Sequence, residues 1–257
     1  VLGLGEAGRE IAADLATRGF VVTAFGALAG TTPPGVSRMA SEADAARGAD
    51  LVLSVNGPAV ADSVATNTAP VLEVGQVYAD LNTASPKTKE GLARIIAPSG
   101  AAFADVALLA PVAGRGVLTP ALVSGPGAEV FARTLIKAGM PVTVLDGPPG
   151  AAAARKLVRS IAMKGFAAAV IEALAAAEAL GLDEWLQTEL VQVFSDPGLV
   201  GRFVSGTPKH AVRRTHEMLA ARELLEVSGV KPYVTDGVLQ RLAEFTNVPA
   251  PEPGRSR

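Results

Sequence analysis

Three glycines near the start of the chain have the spacing that a dinucleotide phosphate requires. The segment Gly3-Leu4-Gly5-Glu6-Ala7-Gly8 is a G-x-G-x-x-G sequence between an apolar run and a helical pattern. In such a turn the first glycine allows the sharp bend, the second lets the backbone approach a pyrophosphate, and the third allows close helix–strand packing. The N-terminus of the following helix then offers N–H groups and a positive dipole end to the phosphates. We therefore expect these six residues to bind a dinucleotide.

The end of the second predicted strand bears on which nicotinamide cofactor is bound. An Asp or Glu about 20 residues after the glycines would hold the ribose 2′-hydroxyl of NAD. The strand instead ends with Ala24-Phe25-Gly26-Ala27, which contains no acid. Arg38 is either a ligand for a 2′-phosphate or an exposed loop residue. The missing acid favours NADP as the cofactor, with NAD as the alternative.

Lys156, Ser160 and Lys164 recur at intervals of four residues in an alanine-rich helical pattern. This spacing places the three side chains on one side of the helix. A lysine on an apolar helix can have its pKa lowered by burial, which suits it to proton transfer. The alternative is a solvated stripe of charge shared with Arg155 and Arg159, and the spacing alone favours that alternative.

Residues 1–165 resemble the β-hydroxyacid dehydrogenase superfamily, which includes 6-phosphogluconate and 3-hydroxyisobutyrate dehydrogenases. After the glycine-rich turn, the spaced Ala12, Leu15 and Gly19 match the family's opening signature. The run from Asp80 to Pro86, DLNTASP, looks like the family's D-x-S-T-x-x-P sequence. The run from Gly150 to Ser160 looks like its G-x-G-x-x-x-K-x-x-N-N helix. The remaining residues resemble a small helical domain of poorly characterised members.

The resemblance implies roles for residues at the matching positions. Lys156 matches the family's catalytic lysine, which exchanges a proton with the substrate oxygen while a hydride moves between substrate and nicotinamide. Asn82 and Thr83 are expected beside the nicotinamide. Asn56 and Gly57 are expected along the cofactor, just past the third main strand.

The residues implied for substrate binding depart from the family's pattern. Ser160 stands where the family has a substrate-contacting asparagine, and Lys164 follows one turn later. The family's D-A-P-V-S-G-G loop is matched only approximately by the sequence APVAG from residue 110, which lacks the serine hydroxyl. A second alignment, which begins at Asp105, lacks it too. Backbone N–H groups at Ala113 and Gly114 are still expected to bind a carboxylate or phosphate.

The first half of the chain alternates β-rich runs with helical patterns, which predicts a parallel sheet covered by helices on both faces. The predicted strands are Val1–Leu4, Phe20–Phe25, Leu51–Val55, Val77–Leu81, Ala101–Ala107, Ala121–Ser124 and Val142–Leu145. The predicted helices between them are Glu6–Thr17, Ser41–Arg47, Ala59–Ala65, Lys87–Ile96 and Ala128–Ala138. After the breaker cluster DGPPG at residues 146–150, the predicted helices are Ala151–Leu180, Asp183–Phe194, Thr207–Ser228 and Val234–Phe245.

These elements predict an α/β Rossmann domain with a mainly parallel sheet, followed by an all-α domain. We place the dinucleotide-binding domain at residues 1–147, a helical substrate or dimerisation domain at 148–249, and a disordered tail at 250–257. The long alanine-rich helix offers small side chains that bury little area each. Another subunit is expected to cover it, which predicts a homodimer.

Composition excludes several other classes of protein. The chain has 257 residues, 49% of them hydrophobic, which is ample for a folded core. With 23 Lys and Arg against 25 Asp and Glu, the net charge of −2 lacks the basic footprint of a nucleic-acid binder. The absence of cysteine and the presence of only two histidines argue against a metal site. Charged residues interrupt the most apolar stretch, Ile161–Leu182, so we expect no membrane span and a cytoplasmic location.

The leading hypothesis is an NAD(P)-dependent oxidoreductase that acts on a small hydroxy acid or its oxo counterpart. The first alternative is an imine reductase of the same architecture, although a lysine at position 156 argues against it. The second alternative is a regulator that binds NAD(P) without turnover. Activity toward a cyclic imine alone would favour the first alternative, and binding without hydride exchange would favour the second.

Overall fold

The computed structural model describes residues 1–26, 31–194, 197–227 and 232–246. The predicted tail at 250–257 lies outside these residues. The chain divides into two compact units, Val1–Lys156 and Leu157–Arg257. We call them the sheet unit and the helical unit. The predicted domain boundary after residue 147 and the roles given to the two domains stay predictions.

The sheet unit is built from short strands and five α-helices within the described residues. The strands are β1 Val22–Ala24, β2 Val36–Arg38, β3 Leu51–Ser54, β4 Val77–Asp80, β5 Ala102–Leu108, β6 Ala121–Ser124 and β7 Val142–Val144. The helices are α1 Glu6–Thr17, α2 Glu42–Ala46, α3 Ala61–Thr68, α4 Pro86–Ile96 and α5 Ala128–Lys137. Helix α1 has the predicted bounds, and the other four differ from the prediction only at their ends.

The order of the strands reverses at one place in the sheet. Strands β3 to β7 follow one another in a five-stranded sheet, and β1 pairs with β2. Leu2 joins the two sheets through parallel bridges to Phe25 and Ser54. The chain order therefore reverses between Leu2 and β3, as in doubly wound sheets that bind dinucleotides. In such sheets the ligand occupies the crevice beyond the carboxyl ends of the strands at this reversal.

The sheet is mainly parallel, which confirms the predicted fold class. One pair departs from this pattern, because β6 runs antiparallel to β5, with Asp105 opposite Ser124. The connection between these strands, residues 109–120, contains a short 3-10 turn at Gly116–Leu118 and no α-helix. A parallel crossover normally needs a helix to carry the chain back along the sheet. Without that helix the chain returns in the opposite direction.

Two predictions about the strands need correction. The predicted strand Val1–Leu4 is reduced to the two bridges of Leu2, because Gly3 turns the chain directly afterwards with a φ of 110°. Strand β2 is missing from the prediction. Its sequence, Val36-Ser37-Arg38, has a single apolar side chain and is at most half-buried, so it lacks a hydrophobic pattern.

Apolar side chains cover both faces of the sheet. Strand β4 shows the alternation, since Val77 and Ala79 belong to one buried cluster and Tyr78 to the other. The first cluster includes Ile11 of α1 and Phe131 of α5, and the second includes residues of α2, α3 and α4. Burial on both faces leaves the strand ends as the places where polar side chains can act.

The helical unit continues helix α6, Ala151–Leu180, and adds α7 Asp183–Phe194, α8 Leu199–Lys209, α9 Ala211–Val227 and α10 Tyr233–Ala243. Helices α6 and α7 have the predicted bounds. Within the unit, Leu157, Met218 and Leu239 are fully buried in one apolar cluster. In the described part of the chain, no helix is long and apolar enough to cross a membrane.

The predicted single helix Thr207–Ser228 is wrong at its N-terminal end. Helix α8 ends at Lys209, His210 leaves the helical conformation with φ −115° and ψ 21°, and α9 begins at Ala211. Pro208 therefore lies in the last turn of α8 and does not open the next helix. Helix α8 is missing from the prediction because its glycines lower its helix propensity.

Candidate cofactor-binding and catalytic site

The glycine-rich turn lies at the reversal of strand order and has the close contacts that its motif requires. A Cβ on Gly3 would lie 2.3 Å from the carbonyl oxygen of Val55, and a Cβ on Gly8 would lie 1.8 Å from that of Gly3. A Cβ on Gly5 would meet nothing within 4 Å. The turn is thus packed against the protein at its first and third glycines and open at its second.

Helix α1 begins directly after this open position. Gly5 is its N-cap residue and no side chain caps the helix, so the first-turn N–H groups have no capping side chain. Leu4 and Ala7 are half-buried beside the turn, and Glu6 is exposed. An open approach to uncapped N–H groups fits a pyrophosphate. The residues at this turn therefore fit the dinucleotide that the sequence predicts.

Two asparagines predicted to line the cofactor contact each other. Asn82 Nδ2 donates to Asn56 Oδ1 at 2.9 Å, and it also lies 3.2 Å from Ser54 Oγ and 2.6 Å from Asp80 Oδ1. Ser54 and Asp80 end the adjacent strands β3 and β4, the asparagines follow them, and the carboxyl ends of both strands meet at the same edge of the sheet. Gly57 follows Asn56 and is half-buried. The structure thus brings the two asparagines together although 26 residues separate them.

The predicted catalytic lysine meets a predicted cofactor residue. Lys156 Nζ donates to Thr83 Oγ1 at 2.5 Å, across 73 residues of sequence. Both side chains are half-buried, and Thr83 directly follows Asn82. This contact argues against the solvated stripe as a description of Lys156. It joins the amine to the end of β4, where Asn82 also lies.

Buried acceptors hold the start of helix α6, which carries Lys156 in its second turn. Asp105 Oδ2 accepts from the backbone N–H groups of Gly150 at 2.9 Å and Ala153 at 3.0 Å. Ser124 Oγ accepts from the N–H of Ala152 at 3.1 Å. A carboxylate at a helix N-terminus satisfies N–H groups that have no partner within the helix and interacts favourably with its dipole. The position of Lys156 is therefore set from the sheet.

A buried lysine that the sequence reasoning missed lies between the two carboxylates. Lys89 Nζ is 2.6 Å from Asp80 Oδ2 and 3.3 Å from Asp105 Oδ1, and it donates to the carbonyl oxygen of Asp80 at 2.8 Å. All three side chains are almost completely inaccessible. Burial by itself lowers the pKa of the Lys89 amine, but the two carboxylates outweigh burial and raise it above its usual value.

A signal for Lys89 does exist in the sequence. Lys89, Leu92 and Ile96 are spaced by three and four residues, so they share one face of α4, and all three are buried. A lysine on the apolar face of a helix needs an acidic partner, because an unpaired buried charge is costly. The partner carboxylates lie on strands β4 and β5, so the sequence does not identify them.

The predicted substrate loop is exposed, and one of its N–H groups has a partner. Ala113 and Gly114 are exposed, and the N–H of Gly114 donates to Glu10 Oε2 at 3.1 Å. The N–H of Val117 likewise donates to Asp14 Oδ2 at 2.8 Å. The amide of Gly114 predicted to bind an anion is thus bound to a carboxylate of helix α1. A substrate role for Ala113 and Gly114 stays a prediction.

The other predicted substrate residues belong to the helical unit. Ser160 is buried there. Lys164 Nζ lies 2.7 Å from Glu217 Oε2, and Glu217 also pairs with Arg213 at 3.3 Å. The charge of Lys164 is therefore balanced inside its own unit. Substrate contact by Ser160 and Lys164 stays a prediction.

Arg38 is anchored next to the end of strand β1. Its Nη2 donates to the carbonyl oxygen of Gly26 at 2.8 Å. The strand end itself carries Ala24, Phe25 and Gly26, and no carboxylate. Among the described residues, no group of three His, Asp or Glu side chains could hold a metal ion.

Comparisons with known protein families match two parts of the chain. Residues 1–118 match the NAD binding domain of 6-phosphogluconate dehydrogenase. Residues 177–245 match a domain of unknown function, DUF1932.

Comparisons with solved structures cover nearly the whole chain. A conserved hypothetical protein from Sinorhizobium meliloti 1021 is 31% identical, with 94% of this chain and 86% of that chain covered and a TM-score of 0.74. The conserved protein MTH1747, of unknown function and similar in structure to 3-hydroxyacid dehydrogenases, is 26% identical, with 96% and 95% covered and a TM-score of 0.75. The 3-hydroxyisobutyrate dehydrogenase of Mycobacterium tuberculosis is 19% identical, with 97% and 93% covered and a TM-score of 0.81, a likeness of fold.

Proposed function

Because the chain belongs to the 6-phosphogluconate dehydrogenase-like family, with an NAD binding domain followed by a DUF1932 domain, we propose that it is an NAD(P)-dependent oxidoreductase. Its reaction transfers a hydride between nicotinamide and a small hydroxy acid or the corresponding oxo acid. The observation that carries this proposal is the 2.5 Å contact between Lys156 and Thr83 at the strand end that also presents Asn82.

Lys156 exchanges the proton in this reaction. A bound nicotinamide supplies or accepts the hydride. In oxidation the neutral amine of Lys156 takes the proton from the substrate hydroxyl, and in reduction its ammonium returns a proton to the carbonyl oxygen. Thr83 orients the amine through its hydroxyl, and the capped start of α6 limits how far the lysine backbone can move.

We propose that residues Gly3 to Gly8 hold the pyrophosphate, with Asn56, Gly57, Asn82 and Thr83 along the rest of the cofactor. We propose NADP as the cofactor. The end of β1 has no carboxylate to receive a ribose 2′-hydroxyl, and Arg38 is held there through the carbonyl of Gly26. A guanidinium binds a phosphate through charge-assisted hydrogen bonds, whereas NAD has no phosphate at this position.

We further propose that the chain acts as a homodimer through its helical unit. Most of the exposed large apolar side chains among the described residues belong to this unit. They include Val158 at 60%, Trp185 at 58%, Tyr233 at 74% and Val227 at 78% exposure. Exposed apolar side chains that form a contiguous patch are typical of a surface that another subunit covers.

The test begins with cofactor binding and then adds substrates. NADPH and NADH are titrated against the purified protein while nicotinamide fluorescence is followed, and we expect NADPH to bind more tightly. Turnover is then measured on a panel of hydroxy acids, oxo acids and cyclic imines. In the matched variant Lys156→Met, which keeps an unbranched apolar stem and removes the amine, cofactor binding should persist while turnover falls by roughly 10²–10⁴-fold.

Three outcomes would contradict the proposal. No binding of either cofactor would remove the oxidoreductase assignment. Turnover of cyclic imines alone would favour an imine reductase. If wild type and Lys156→Met turn over a hydroxy acid at the same rate, Lys156 is not the group that transfers the proton.

A further inference from the structure

We propose that Lys89 is a positioning residue that couples the cofactor side of the site to the helix that carries Lys156. It does so by holding the carboxylates of Asp80 and Asp105 together in the interior of the sheet unit. The inference rests on the proposed function, since it assigns a role to Lys89 in the same site. Lys89 itself is fully buried, so it acts through its neighbours.

The first arm of this coupling runs from Lys89 to the cofactor side. Asp80 accepts from Lys89 Nζ with Oδ2 at 2.6 Å and from Asn82 Nδ2 with Oδ1 at 2.6 Å. The two oxygens of one carboxylate thus bind the lysine and the asparagine. Because Asn82 also donates to Asn56, the carboxylate fixes which way both amides point. Movement or protonation of Asp80 would therefore reorient two residues of the proposed cofactor site.

The second arm runs from Lys89 to helix α6. Asp105 lies 3.3 Å from Lys89 through Oδ1, while its Oδ2 accepts from the N–H groups of Gly150 and Ala153. This carboxylate caps the first turn of the helix, and Lys156 follows three residues after Ala153. Ionisation of Asp105 therefore stabilises the helix start from which Lys156 reaches Thr83.

Charge explains why one lysine controls both arms. Two carboxylates that share a buried site cannot both stay ionised at low cost without a cation between them. The ammonium of Lys89 supplies that cation on a helix face otherwise formed by Leu92 and Ile96. A buried cluster of charges contributes little net stability to a fold, because well-packed apolar side chains of similar volume often stabilise it as well. The placement is better explained by the two sets of groups that it links.

The experiment compares Lys89→Met with wild type by native-state hydrogen exchange. The amides followed are those of Gly150, Ala152 and Ala153 at the start of α6, with the amides of Phe131 and Leu135 in α5 as the reference within the same unit. We expect exchange at the start of α6 to accelerate at least about tenfold more than at the reference amides. NADPH affinity, measured by fluorescence, should fall at least severalfold.

Arg47→Met is the matched control, because it removes an Arg–Asp pair at the end of helix α2 whose arginine is exposed. This control should leave both readouts unchanged. If Lys89→Met does not fold, the double variant Lys89→Met/Asp80→Asn removes one negative charge together with the positive one. It should fold with wild-type protection at Gly150 and Ala153, because the net charge of the cluster is unchanged and these two N–H groups still donate to the Asp105 carboxylate.

The outcomes separate this inference from the proposed function. Equal acceleration of all amides in Lys89→Met, or none, would show that Lys89 only stabilises the unit and would overturn the link to α6. Unchanged NADPH affinity in that variant would overturn the link to Asn82. Loss of protection at Gly150 in the double variant would also overturn the proposed role of Asp105. If wild type itself binds neither NADPH nor NADH, the proposed function fails, while the exchange pattern still decides whether Lys89 positions α6.

Discussion

At the scale of the residue, Arg38 decides the proposed preference for NADP. Its guanidinium is held at the end of β1 by the carbonyl of Gly26, where dinucleotide-binding proteins that use NAD carry an acid. A guanidinium there attracts a 2′-phosphate, and its interaction with a free ribose hydroxyl is much weaker. The proposed preference therefore depends on this guanidinium together with the missing acid.

Replacement of Arg38 by glutamine should weaken NADPH binding and leave NADH binding nearly unchanged. The loss of charge-assisted hydrogen bonds corresponds to about 1.5–3 kcal/mol, or roughly 10–100-fold in the NADPH dissociation constant. Fluorescence titration of both cofactors measures the ratio. Arg47→Gln is the control for a general loss of positive charge. A parallel loss of affinity for both cofactors would count against a 2′-phosphate contact.

At the scale of the element, two glycines of the turn into α1 have different roles. One is needed for the fold, and the other leaves space for the proposed ligand. Gly8 packs against the carbonyl of Gly3, so a side chain there disturbs the fold itself. Gly5 has a φ of −70°, which alanine adopts without strain, and open space lies where its Cβ would point. The two positions therefore have different structural reasons for being glycine.

Gly5→Ala should keep the thermal stability of wild type and lose NADPH affinity by roughly tenfold or more, because the methyl group occupies the approach of the pyrophosphate. Gly8→Ala should lower the free energy of unfolding by about 2 kcal/mol or more, because its Cβ meets backbone. Thermal unfolding and fluorescence titration of both variants provide the test. Retention of full affinity in Gly5→Ala would contradict pyrophosphate binding at this turn.

At the scale of the whole molecule, the helical unit leaves apolar surface uncovered within a single chain. In α6 itself, Val158 and Phe166 are 60% and 49% exposed. Phe166 makes an edge contact with Phe194, with ring centroids 5.7 Å apart, which covers only part of it. We propose that a second copy of the chain covers this apolar surface.

Light scattering during size-exclusion chromatography should give twice the chain mass of 26.0 kDa. Val158→Glu or Trp185→Glu should shift the protein toward the monomer, because a charge in an apolar interface is costly. Val74→Glu is the matched control, since Val74 is 84% exposed in the sheet unit. A monomeric wild type at all concentrations would contradict the proposed dimer.

Local pattern was sufficient for many elements of the fold. The bounds of α1, α6 and α7 follow from caps, breakers and helical periodicity, and the mainly parallel sheet follows from the alternation of strands and helices. Pattern failed where the local signal was weak or misleading. Strand β2 is too short and polar to be detected, helix α8 contains two glycines, and Pro208 resembled the start of a helix.

The sequence by itself determined the glycine turn and the fold class, because these depend on residue types at fixed short spacings. Only the tertiary structure decided which distant groups meet. It brought Lys156 to Thr83, paired Gly114 with Glu10 across 104 residues, and buried Lys89 between Asp80 and Asp105. Such pairings have no local signal, because a buried charge or N–H group is satisfied by whichever partner the packing of other elements places beside it.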